Sequence, residues 1–228
     1  MKHVHWLFVA ALAVTLFGFW PSFFSDPAQL DVWRLGHGVF ATLWILLLIL
    51  QAWLIGHKRR TWHRGLGRTS ILLLPPLLIT AGHAVYTMLS AGPEGLPRDL
   101  RLTLAYVDMT SLVMFVVCWG LAIRFSRHRT VHAGLMGTTA LIAVIPALGR
   151  ALAHNVPSLG GLDGALDPSF RVVEGVLFIL LLERLFRRRS PLPYPFLITA
   201  FILMQLTMRQ APHWAPFVAL ARLCGFHG

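Results

Sequence analysis

Five apolar stretches of this sequence carry ionisable residues where a purely hydrophobic run would have none. His37 lies about a turn and a half in from one end of its stretch. His83 and Asp108 lie about as far into theirs, Glu174 lies about a turn into its own, and Arg150 with His154 marks the end of another. A charge or imidazole inside an apolar helix is costly, so each such residue is expected to face inward and seek a partner. If these stretches are helices of one bundle, all five place an ionisable group at one depth, which suggests a shared polar chamber. His37, His83 and His154, with Asp108 or Glu174, form a donor set that zinc or non-haem iron accepts. The carboxylate would then be the catalytic base for a bound water. Two histidines on different helices, His37 and His83, can instead clamp haem b from both faces. Arg150 and Arg171 suit haem propionates, the two carboxylates, or an anionic substrate.

The elements that must position these residues are membrane helices. Of 228 residues, 56% are hydrophobic and only 13% charged, too little polar surface to coat a soluble globule. Seven apolar runs are predicted to span: Val4–Trp20, Val32–Ile55, Thr69–Leu89, Thr103–Ile123, Val131–Ala151, Phe170–Leu185 and Leu192–Met208. Most approach or exceed the roughly 20 residues that cross a hydrocarbon core. The first run leads into Trp20-Pro21-Ser22-Phe23-Phe24 rather than a small-residue cleavage site, so it reads as a retained span and not a signal peptide. The expected architecture is all-α, a polytopic transmembrane helical bundle forming one domain over residues 1–228.

The net charge of +11 does not point to nucleic acid, because the basic residues are confined mainly to loops instead of tracking along a face. Loops at 58–68, 124–129 and 184–189 are basic and fall on one side if every run crosses once, which predicts that side to be cytoplasmic. Eight acids, Asp26, Asp31, Glu94, Asp99, Asp108, Asp163, Asp167 and Glu174, then lie in the outer half or beyond it. The N-terminus, following Lys2, is expected inside and the C-terminus outside. Arg60-Thr61-Trp62-His63-Arg64-Gly65-Leu66 resembles Arg129-Thr130-Val131-His132-Ala133-Gly134-Leu135, so spans two–three and four–five read as related helical hairpins. Pro75-Pro76 and Pro146 sit inside two spans, where a missing backbone donor loosens the helix and leaves room for a cavity.

A second histidine group, His57, His63, His128 and His132, lies in the basic loops, where interfacial anchoring is the plainer reading. His63 and His132 occupy equivalent places in the repeat and would suit a second, inner haem. His63 and His83 are 20 residues apart, about 30 Å of helix, nearly the whole core. Gln51 and Gln205 are uncharged polar residues expected to bond across helices, and Phe23, Phe24, Trp33 and Trp214 fit an outer aromatic belt. Cys118 and Cys224 show no metal spacing and no disulfide framework. A retinal protein is excluded because the only lysines, Lys2 and Lys58, lie outside the spans.

The segment His37-Gly38, with Trp44, Gln51, Leu54 and the turn His63-Arg64-Gly65-Leu66-Gly67-Arg68, together with Trp20-Pro21-Ser22-Phe23-Phe24, resembles a group of bacterial multi-span proteins akin to the DUF2306 family. The match covers mainly the first three spans. It implies a multi-pass protein of the bacterial inner membrane and no particular activity. More loosely, the histidine-bearing hairpins are similar to cytochromes of the b561 type, whose helical core holds two haems through histidine pairs; here the fourth span offers Tyr106 and Asp108 where a histidine would be wanted. Three functions stay open: a redox protein with haem b or a transition metal, a metal-dependent lipid hydrolase or hydroxylase, and a transporter, sensor or accessory subunit without catalysis. The expected partners are the lipid bilayer and an electron-transfer or other subunit.

Overall fold

The computed structural model describes residues 4–25, 31–91 and 95–227, with Ser22 by its backbone alone. Lys2, Asp26 and Glu94, which bear on the predicted orientation, lie outside them. Among the described residues there is no strand. Helix α1 spans His5–Phe19 and runs into a π-helical turn, Trp20–Phe24. It is followed by α2 (Val32–Gly56), α3 (Arg60–Gly67), α4 (Thr69–Ser90), α5 (Arg98–Arg124), α6 (Arg129–Asn155), α7 (Leu162–Phe186), α8 (Tyr194–Met208) and α9 (Ala215–Leu223).

All seven predicted apolar runs fall on helices. Four segments are long and apolar enough to cross a membrane: α2, Arg60–Ser90 (α3 with α4), α5 and α6. Helices α1 and α8 are apolar but have 15 residues each, about 22 Å of rise. Helix α7 has the length, yet it carries Asp163, Asp167, Arg171, Glu174, Glu183 and Arg184. Two helices were not anticipated. The basic loop after α2 is largely helical, as α3, and residues beyond Met208 form α9.

Helix α2, one of the segments long and apolar enough to cross a membrane, turns apolar side chains outward. Val39, Leu43, Leu46, Leu50 and Trp53, spaced by four and three residues, are each at least 40% exposed. The buried stripe includes Trp44, Leu47, Leu48, Gln51 and Leu54. A soluble amphipathic helix turns its polar side outward and its apolar side to the core. Here the outward stripe is wholly apolar and the polar Gln51 is inside. Hydroxyls obey the same constraint: Thr15, Thr42, Thr80, Thr87, Thr110, Thr138 and Thr207 each donate to the carbonyl four residues back in their own helix. No hydroxyl in that set needs water.

The helix ends are locally specified. Asp31 caps α2, its Oδ1 accepting from the backbone N–H groups of Trp33 (2.9 Å) and Arg34 (3.0 Å). At the other end Arg59 N–H donates to the Leu54 carbonyl and Lys58 N–H to the Ile55 carbonyl, with Lys58 left-handed at φ 61°. Helix α7 ends the same way: Arg189 N–H donates to the Arg184 carbonyl, Arg188 N–H donates to the Leu185 carbonyl, and Arg188 has φ 49°. Both are Schellman closures, in which glycine is the usual left-handed residue. Here cations take that place, beside the negative end of the helix dipole.

The chain forms two compact units. Unit 1 comprises Met1–Thr80 and Thr139–Leu166, and unit 2 comprises Ala81–Thr138 and Asp167–Gly228. In unit 1, α1 lies along α2 and meets α6 at Gly18, where any Cβ would overlap the backbone of Ala147. Such small-residue crossings let membrane helices approach closely. In unit 2, Val85, Leu89, Leu102, Ala105, Ala221 and Phe226 form one apolar cluster. Phe170 of α7 meets Phe201 of α8 edge-on at 6.5 Å between ring centroids.

Candidate functional site

The best-defined polar site in unit 1 is built around His37 in the second turn of α2. The imidazole lies beside the backbone carbonyl of Leu77 on α4, and Arg150 on α6 is close enough for its charge to act on the ring. His37 Nδ1 is buried and has no hydrogen-bond partner among the described residues. Arg150 is itself held in place: its guanidinium stacks 4.6 Å from the Phe19 ring centroid, and one nitrogen donates to the Pro146 carbonyl at 3.2 Å.

Two glycines let the surroundings close on His37. Gly38 lies under the ring of Phe23, so that a Cβ there would collide with it, and a Cβ on Gly36 would sit 3.4 Å from Thr80 Cγ2. Phe23 is in position because the chain leaves α1 through a π-helical turn, closed by Ser25 N–H donating to the Trp20 carbonyl at 3.0 Å. Pro21, which has no N–H, sits within that turn. Wider turns of this kind recur at functional sites. The structure therefore brings the Trp20-Pro21-Ser22-Phe23-Phe24 segment onto His37-Gly38.

His37, Trp44 and Gln51 are seven residues apart, so they follow one another along a single face of α2. Trp44 is 1% exposed and its Nε1 donates to Thr139 Oγ1 on α6 at 3.0 Å. With the Gln51 amide oriented so that both its ends find partners, its nitrogen donates to Nδ1 (2.5 Å) and the carbonyl (2.9 Å) of His63, and its oxygen accepts from the Gly67 N–H at 3.2 Å. One face of α2 thus engages α4, α6 and α3 in turn through polar side chains.

The repeat has a structural meaning. His63 holds α3 against the end of α2, and His132 Nδ1 donates to the Ala122 carbonyl at 2.8 Å, holding α6 against the end of α5. Both equivalent histidines fasten a helical hairpin at its basic turn, and in both Nδ1 is engaged in that contact.

The remaining candidates belong to unit 2 except His154, which is exposed in the last turn of α6. His83 Nδ1 lies 3.3 Å from the hydroxyl of Thr87, one turn on. Asp108 is half-buried on α5. Glu174 on α7 feels the charges of Arg171 and Asp167 on the same helix, and its Oε1 is buried without a hydrogen-bond partner among the described residues. Asp167 is gripped from α8, by Gln205 Nε2 at 2.9 Å and Arg209 at 3.2 Å. The structure thus pairs His37 with Arg150 in unit 1 and Glu174 with Arg171 in unit 2.

A zinc or non-haem iron centre needs three or more converging ligands, and among the described residues no three His, Cys, Asp or Glu side chains form such a group. The donor set His37, His83 and His154 has no geometric support on that count. A single axial contact to haem iron asks less: one imidazole nitrogen free of other bonds, which His37 offers, and a cation for a propionate, which Arg150 offers.

One buried cation has no counterpart in the sequence reading. Arg101, 6% exposed in the first turns of α5, donates to the Ala91 carbonyl and stacks 5.3 Å from the ring of Phe226. Nothing local marks Arg101 as different from Arg98, since the ring that covers it comes from the far end of the chain. No protein-family model, curated protein or solved structure matches the chain.

Proposed function

We propose that this chain is a seven-span protein of the bacterial inner membrane, N-terminus inside and C-terminus outside, that binds a small oxyacid at the His37–Arg150 site as a carrier, sensor or accessory subunit. The three basic segments support the orientation, since each follows α2, α5 or α7 and all fall on one side if each apolar helix crosses once. The observation that carries the functional reading is the buried, unpartnered Nδ1 of His37 beside the guanidinium of Arg150. A neutral imidazole nitrogen accepts a hydrogen bond, and a guanidinium donates to anionic oxygen. A ligand with an acidic oxygen for Arg150 and a hydroxyl or acid proton for His37 satisfies both. A permanent cation whose charge acts on the ring also disfavours a second, metallic cation bound only by His37.

The same two residues favour one second reading, a haem b protein in which His37 would ligate the iron and Arg150 would hold a propionate. Haem would supply one-electron chemistry, and the protein's part would be to bind and orient it.

One preparation separates the two. The detergent-purified protein is examined by absorption before and after dithionite, and by thermal unfolding with sodium phosphate, citrate or acetate against chloride. Saturable stabilisation by an oxyacid, lost in Arg150→Gln and His37→Gln, is the expected result. A Soret band that shifts on reduction and disappears in His37→Gln would replace this reading with the haem one. No response to any oxyacid and no chromophore would remove His37–Arg150 as a ligand site.

A further inference from the structure

The basic segment after α2 holds the strongest feature that the His37 site does not use. Lys58, Arg59, Arg60, Arg64 and Arg68 are all exposed, and none forms an ion pair among the described residues. No acidic residue occurs between His57 and Arg68. Helical spacing sorts α3 into three faces at about 100° per residue. Arg60 and Arg64 follow each other on one face, continued by Arg68 just past the helix end. Trp62 and Leu66 lie on the opposite face, with Trp62 65% exposed. His63 and Gly67 occupy the side between them, docked on Gln51.

We propose that α3 is a docking site for anionic phospholipid headgroups. At the head of the Arg60–Ser90 segment, a helical stretch pinned along one side, with arginines on a second and an exposed tryptophan opposite them, is suited to the level of a membrane surface. The arginines face phosphates while the indole sits at the level where headgroups give way to acyl chains. The His63–Gln51 and Gly67–Gln51 bonds fix the height and rotation of α3 relative to α2. The left-handed Lys58 turns the chain out of α2 toward this position. Charge complementarity selects the occupant: unneutralised guanidinium groups one turn apart match a layer of singly charged phosphodiesters, and a zwitterionic headgroup would cancel the attraction.

The proposal needs the membrane placement given above but not a ligand at His37, and the oxyacid response is read separately so that either can fail alone. The full chain in detergent is titrated with short-chain phosphatidylglycerol or phosphatidylcholine, and bound lipid is counted by native mass spectrometry. Wild type is expected to prefer phosphatidylglycerol, and inorganic phosphate is expected not to compete, since it has no acyl chain to meet Trp62. Arg60→Gln/Arg64→Gln/Arg68→Gln is expected to weaken phosphatidylglycerol binding on the order of a hundredfold. The triple arginine-to-lysine variant should keep most of the binding, which guards against loss through misfolding. Equal binding of both lipids by wild type, an unchanged glutamine variant, or an equal loss on substituting Arg187, Arg188 and Arg189 by glutamine would each overturn the assignment.

Discussion

The hydrogen bond between Trp44 and Thr139 is the sharpest test of how α2 is held. The indole Nε1 reaches Thr139 Oγ1 at 3.0 Å, with Trp44 1% and Thr139 0% exposed. Interhelical hydrogen bonds in membrane proteins average about 0.6 kcal/mol and reach about 1.7 kcal/mol. Good length and full burial place this one near ~1 kcal/mol on that scale. Trp44→Phe also removes part of a fully packed ring, which adds about 1–2 kcal/mol for the space left behind. Thr139→Val leaves the indole N–H buried and unpaired, costing about 1–2 kcal/mol. If the bond is real, the double variant removes it only once, so its loss is smaller than the sum of the single losses by ~1 kcal/mol. The assay is equilibrium unfolding in mixed micelles for wild type, both single variants and the double. Losses that add to within about 0.3 kcal/mol would refute the bond, since that is the scatter of independent sites.

Other outcomes follow from the same geometry. Gly18→Ala should push α1 away from α6 and lower the unfolding midpoint by the equivalent of about 1–3 kcal/mol, whereas Gly82→Ala, with nothing within 4 Å of its Cβ, should leave it unchanged or raise it. His63→Ala should destabilise by about 1–3 kcal/mol because it strands the buried Gln51 amide; His132→Ala should cost less, and thermal unfolding of the two variants side by side gives the order. Asp167→Asn keeps the Gln205 contact and loses a pair whose side chains are 39% and 37% exposed, so the expected loss is below about 1 kcal/mol and shrinks further when unfolding is repeated in high salt. Phe226→Ala should uncover Arg101 and the end of α9, and faster trimming by carboxypeptidase in detergent is the readout.

Much of the fold was legible because membrane helices are specified by local composition. Each of the seven apolar runs falls on a helix, although α7 begins at Leu162 rather than Phe170 and α5 at Arg98 rather than Thr103, because a long apolar run satisfies its backbone hydrogen bonds most simply within its own segment. Helix α3 was hidden by the charge of its residues. Its period becomes visible only once Arg60/Arg64, Trp62/Leu66 and His63/Gly67 are seen as three faces. The glycine of His37-Gly38 was noticed as a motif, but its reason, the Phe23 ring brought over it by a π-helical turn, lies 15 residues upstream and cannot be read from spacing.

Sequence by itself determined which segments are helices and where the cations gather, because those properties depend on each residue and its neighbours within a turn or two. Tertiary structure decided the partners. His37 and Arg150 come from different helices, Trp44 finds Thr139, and Arg101 is covered by Phe226, all through contacts between residues far apart in the chain. A side chain's spacing within a helix sets the face on which it lies, but what it meets there depends on how other helices pack against that face. That packing made fasteners of the two histidines of the repeat, His63 at the end of α2 and His132 at the end of α5.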